Sequence, residues 1–137
     1  MKESCHFKKE LPLFHASYDV FIGPDIESIK DHIETTYSKL DFSIPANSMG
    51  YTSIIESPLL GKGLIVVLND FLAEEEDIQR TIYHEAVHIT WMILGAIGVK
   101  LTADNHEVQA YLIEHVITDL QDAYKEYEKS CDDMTEL

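Results

Sequence analysis

In the stretch TIYHEAVHITW, residues 81–91, two histidines stand four residues apart and a glutamate directly follows the first. On an α-helix, residues four apart lie one above the other, so His84 and His88 can aim both imidazoles at a single tetrahedral ion. Glu85 falls beside them, where a carboxylate can hold the water that such an ion activates and take its proton. This H-E-x-x-H spacing suits metal-assisted hydrolysis of a peptide bond. In a chain of this composition it arises by chance on the order of once in thirty sequences. Its setting strengthens it. Ile78, Ile82, Ile89, Ile93 and Ile97 form one apolar stripe, and at about 100° per residue the histidine pair points roughly 150° away from the centre of that stripe.

A helix that carries two polar histidines and no metal is the competing reading, and a third ligand decides between them. The metzincin continuation, a glycine three residues after the second histidine and a histidine three beyond it, is absent, because those positions hold Trp91 and Leu94. Glu107 fits instead. It lies nineteen residues after His88, just inside the next helical pattern, with Gly95, Gly98 and a short polar segment available to turn the chain. Two histidines and a carboxylate leave a fourth position open, as a hydrolytic zinc site requires. Glu107 also has a reading without metal: in DNHE, Asp104 and Glu107 stand at capping-box spacing. Glu107, Tyr111 and His115 share a helix face opposite Ile113, Val116, Ile117 and Leu120, which suits a cleft wall or plain solvent equally.

H84-E-A-V-H88 together with N105-H-E-V-Q-A-Y111 resembles a gluzincin of the compact kind, as in small phage and bacterial metallopeptidases and, more distantly, the ImmA/IrrE family. The likeness spans about residues 63 to 120. It implies a minimal zincin-like α+β fold, Zn2+ as cofactor, His84, His88 and Glu107 as metal ligands and Glu85 as general base. Its implied activity is that of a zinc metallopeptidase acting on a peptide or protein substrate, and the shortness of the chain adds the expectation of narrow specificity. The thermolysin-like branch has an aspartate four residues after its ligand glutamate, where this chain has Tyr111. The residue that orients a ligand histidine must then come from elsewhere, with Asp70, Asp77 and Asp104 as candidates. Tyr111, one turn beyond Glu107, is a candidate donor to the oxyanion, against the plainer role of a packed tyrosine. His106 and His115 read as surface residues, and His6 and His15 carry no pattern.

The elements that would position these groups can be read from hydropathy. YDVFI (18–22) alternates as a strand and stops at Gly23-Pro24; DIESIKDHIETTYSKL (25–40) is an amphipathic helix that leaves His32 on the surface. MGYTSIIES (49–57) and GLIVVLN (63–69) read as neighbouring strands around Pro58, the second apolar on both faces and therefore covered on both sides. A helix from about Glu74 to an end around Gly95 to Gly98 carries the histidines, and a last one runs from about Asp104 to Glu128. The sum is a sheet of about three strands with an N-terminal helix and two C-terminal motif-bearing helices. Residues 1–137 read as a single domain, with 1–10 and 129–137 frayed.

Composition narrows the classes. A formal net charge of -15 opposes binding to a nucleic-acid backbone. No apolar run reaches the length of a membrane span, and MKESCHFKKE lacks the apolar stretch of a secretory signal, so a cytoplasmic protein is expected. Cys5 and Cys131, near opposite ends and without CxxC spacing, are expected as thiols. Two other function classes stay open: an inert zincin scaffold that binds a partner, and an acidic decoy of DNA-binding proteins. The oligomeric state is not encoded in any of these signals.

Overall fold

The computed structural model describes residues 3–11, 16–37, 43–45, 48–57, 61–71 and 73–135, of which Ser57 and residues 131–135 are described as backbone. The chain is α+β. Its elements are β1 (Cys5–Leu11), β2 (Ala16–Gly23), α1 (Ile26–Tyr37), β3 (Gly50–Ser57), β4 (Gly61–Asn69), α2 (Glu75–Ala96), a 3-10 turn (Ala103–Asn105) and α3 (His106–Thr135). The sheet order is β1-β2-β4-β3, with β2 and β4 parallel at the centre and both outer pairs antiparallel.

Each side of the sheet holds a separate core. In β4, Ile65 and Val67 turn toward α1, where they meet Phe21, Ile29, Ile33 and Ile55. Val66 and Leu68 turn the other way, toward Ile78, Ile82, Ala86, Ile89 and Ile93 of α2 and Leu112, Val116 and Leu120 of α3. This is why GLIVVLN has no polar face: side chains alternate between two covered surfaces. Gly98, at φ +83, turns the chain between α2 and α3, and Val99 N donates to Leu94 O at 2.8 Å to close the helix end. Tyr18 and Tyr124 then fasten α3, their hydroxyls donating to Asp119 (2.8 Å) and Asp70 (2.7 Å).

Three expectations change. The sheet has four strands rather than three, because residues 5–11, 5–10 of them expected frayed, pair along β2. Cys5, Phe7 and Leu11 pack on the larger core, but Lys8, Lys9 and Glu10 break up that alternation in the sequence. At the other end α3 continues to Thr135 rather than stopping near Glu128, since no Gly or Pro interrupts those residues. The helix expected over 25–40 is seen to Tyr37; residues 38–40, Pro58 and His15 lie outside the described residues, as does the Cys131 side chain. Among the described residues no helix is long and apolar enough to cross a membrane.

Candidate metal centre

Helix α2 begins with four acidic residues, Glu74 to Asp77, which complement the positive end of its dipole, and Glu74 N donates to Asp77 Oδ2 at 3.3 Å. Ile78, Ile82, Ile89 and Ile93 of the isoleucine stripe go into the core, Ile97 at the helix end stays exposed, and His84 and His88 emerge on the opposite, solvent-facing side. Their Nε2 atoms converge to 3.2 Å, with the rings edge to face. Zn–N bonds of about 2.0–2.1 Å at a tetrahedral angle place two ligand nitrogens about 3.3–3.4 Å apart. The pair thus stands close to the spacing that a shared divalent ion requires, which is also that of an ordinary hydrogen bond between two imidazoles.

Glu85 occupies the border between that exposed face and the sheet. It is only 5% exposed, whereas the His84 side chain is 69% exposed. The Thr52 hydroxyl on β3 donates to Glu85 Oε1 at 2.7 Å, and Oε2 lies 3.9 Å from His84 Nε2. One oxygen is therefore fixed by the strand and the other turned toward the histidines. Gly50 permits this approach, because a Cβ there would stand 2.5 Å from Thr81 Cγ2, 2.9 Å from Glu85 Cγ and 3.0 Å from Glu85 Oε2. Met49, Gly50, Arg80, Thr81, His84 and Glu85 line one open cleft. β3 is an outer strand whose far edge pairs with no other strand among the described residues, and Gly50 at its start lines this cleft.

The residues expected from α3 are not gathered in. The side chain of Glu107 is 90% exposed, with His106 Nδ1 at 3.7 Å as its neighbour, and among the described residues no three His, Cys, Asp or Glu side chains group closely enough to hold a metal ion. The histidine pair fits zinc, then, while the three-ligand set is not assembled in this conformation. Nor is Glu107 used for capping: Asn105 takes that part, accepting from Thr102 N at 3.1 Å and bonding Lys100 O. Tyr111 is 55% exposed on the same end of α3. Of the aspartates considered for orienting a histidine, Asp70 accepts from Tyr124, Asp77 serves the start of α2, and Asp104 is exposed in the 3-10 turn. His115 pairs with Asp119 at 3.7 Å on α3.

A second polar cluster, which hydropathy did not reveal, lies under α1. Asp19 of β2 is buried, accepting from His6 Nε2 at 2.8 Å and from the Tyr37 hydroxyl. His6 stacks on Phe21 with ring centroids 4.4 Å apart; His32, half-buried rather than on the surface, meets Phe21 edge-on and bonds Ser4 Oγ at 2.8 Å. Burial alone would push the Asp19 carboxyl up, but the bonds from His6 and Tyr37 and the charges of His6 and Lys8 outweigh it and hold it below its ordinary value. Burial, then the nearby His6, holds His32 below the usual imidazole value. The sequence signal was Asp19 itself, one charge inside the apolar strand YDVFI. Thr52 and Gly50, also missed, had no local signal, because their roles come from the packing of β3 on α2.

Comparison with known families, with curated proteins and with solved structures finds no match. The functional reading therefore stands on these residues and their geometry.

Proposed function

We propose that the protein is a zinc-dependent peptidase of the gluzincin kind, with His84, His88 and Glu107 as ligands and Glu85 as general base. The observation that carries this reading is the 3.2 Å convergence of the two Nε2 atoms beside a buried carboxylate that has one oxygen held by Thr52 and the other turned toward His84. A bound divalent ion would supply Lewis acidity to a carbonyl and to water. The protein's own part is positional and protonic. Thr52 orients Glu85 so that Oε2 takes a proton from the attacking water and delivers it to the departing amine. The free edge of β3 offers its backbone N–H and C=O groups to an extended peptide. Residues 51–55 of β3 can take such a partner, whereas β4 is flanked by β2 and β3.

Completing the ligand set requires Glu107 to come to the histidines; its exposed side chain has no capping bond to break. Tyr111, one turn along, would travel with it and offer its hydroxyl to the oxyanion. A cytoplasmic location accords with this reading. A second reading, an inert scaffold that binds a partner, is favoured by the unassembled third ligand and by Tyr83 and Trp91, exposed on the histidine-bearing helix. A proteomic cleavage screen with zinc separates them. The peptidase reading expects new peptide ends with the wild type and none with Glu85→Gln; identical patterns from the two proteins would contradict it.

A further inference from the structure

Arg80 is the only arginine among 137 residues that include 25 Asp and Glu and 10 Lys and Arg. It stands one helical turn before His84 and lines the same cleft as His84 and Glu85. Glu76, one turn before it, has the spacing of a helical ion pair. Yet among the described residues the ion pairs present involve histidines, and none involves Arg80, which is exposed on the ridge between this cleft and Glu75 and Glu76. In so acidic a chain, an unpaired guanidinium in the cleft of Glu85 is, among the described residues lining it, the permanently charged group suited to an anion.

The direction of β3 says which anion. Along the strand, Gly50 lies at Thr81 and Glu85, Thr52 bonds Glu85, and Ile54 faces Met92, Ile93, Ala96 and Ile97 across an apolar pocket. β3 and α2 therefore run in the same sense, with Arg80 at the Gly50 end and the apolar pocket at the Ile54 end. Antiparallel pairing, the more stable kind, makes an added peptide run from Ile54 toward Gly50. Its carboxyl end then points at Arg80, and the two-residue step from Thr52 to Gly50 spans about 7 Å, so a carboxylate at the Gly50 end lies one or two residues past the bond at Glu85. A guanidinium binds a carboxylate through two parallel hydrogen bonds.

We propose that Arg80 anchors the terminal carboxylate of a peptide lying antiparallel on β3, with an apolar side chain upstream in the Ile54–Met92 pocket, so that the protein trims peptides from their free C-terminal end. This rests on the peptidase reading. Hydrolysis adds water across one C–N bond, the hydroxyl going to the carbonyl carbon and the proton to the released amine.

A single arginine gives a single side-chain Nε–H signal in a 15N NMR spectrum, which allows a direct test on the full chain, in chelator so that no turnover intervenes. Three probes are titrated: N-acetyl-Leu-Ala as the free acid, the same peptide as its C-terminal amide, and N-acetyl-Leu-Asp with the terminus amidated. The Arg80 signal is expected to move saturably with the free acid, with at least tenfold weaker affinity for the other two. Arg80→Gln should abolish the preference for the free acid read on the backbone amides of Gly50 and Thr52; Arg80→Lys should retain part of it. An equal response to the aspartyl amide would assign an acidic side chain instead and overturn the C-terminal anchor. An equal response to all three, or none, would also overturn it. Because the readout needs no metal, a protein that binds no zinc yet prefers the free acid would refute the peptidase reading while leaving the anchor intact.

Discussion

Two buried carboxylates, on opposite faces of one sheet, have different surroundings. Asp19 has both oxygens occupied, one by His6 and one by Tyr37, and so ties β1 and α1 to the central strand β2. Glu85 is equally buried but has one oxygen held by Thr52 and the other facing an open cleft and the exposed histidines. Burial marks both, and so it does not by itself distinguish a structural carboxylate from a reactive one. The distinguishing feature is whether an oxygen is left over and what it faces. Asp19 leaves nothing for a substrate, while Glu85 is fixed on one side and available on the other.

This contrast breaks most visibly by amide replacement. Glu85→Gln should lower peptidase kcat/KM by about 10²–10⁴-fold, the usual contribution of a general base, while leaving the melting temperature near that of the wild type. Asp19→Asn should behave in reverse. It puts an NH2 where His6 or Tyr37 donated and should cost about 1–3 kcal/mol in urea unfolding with little change in kcat/KM. If both variants lost activity and kept stability, the two carboxylates would not differ in kind. Gly50→Ala sharpens the comparison further, because its Cβ would press on Thr81 and Glu85 and on nothing near Asp19. We expect a cost of about 1–3 kcal/mol with a fall in kcat/KM out of proportion to the small change in side chain.

The smallest effect is on pH dependence. His32, held below the usual imidazole value by burial, takes up a proton less readily folded than unfolded, so it withdraws stability as pH falls through about 6.5. Asp19, held below its ordinary value despite its burial, contributes stability that is present at neutral pH and is lost as pH falls below about 4. Urea midpoints between pH 8 and pH 3 should show two descending limbs. His32→Asn should flatten the upper and Asp19→Asn the lower; a wild-type curve flat from pH 7 to 5 would contradict the first.

Much of the frame was legible because it is local. The double-sided GLIVVLN strand, the isoleucine stripe of α2 and the outward direction of His84 and His88 follow from periodicity alone. The partners of the two carboxylates did not, because they join residues far apart in the chain: Thr52 reaches Glu85 across 33 positions and His6 reaches Asp19 across a strand pair. β1 was hidden for a related reason, its alternating Cys5, Phe7 and Leu11 being interleaved with three charges that the sheet carries at its edge. For Glu107 the spacing was readable but ambiguous, and the structure assigns the capping part to Asn105 while leaving Glu107 at the surface.

If the converging histidines grip a divalent ion, the purified protein should carry it. Protein purified without chelator and assayed for zinc by mass spectrometry should contain about one equivalent per chain, and His84→Ala and His88→Ala should contain almost none while remaining folded, since both side chains are exposed. A wild-type protein free of zinc that also fails to take it up on titration, or a doubly substituted chain that keeps its zinc, would contradict the account.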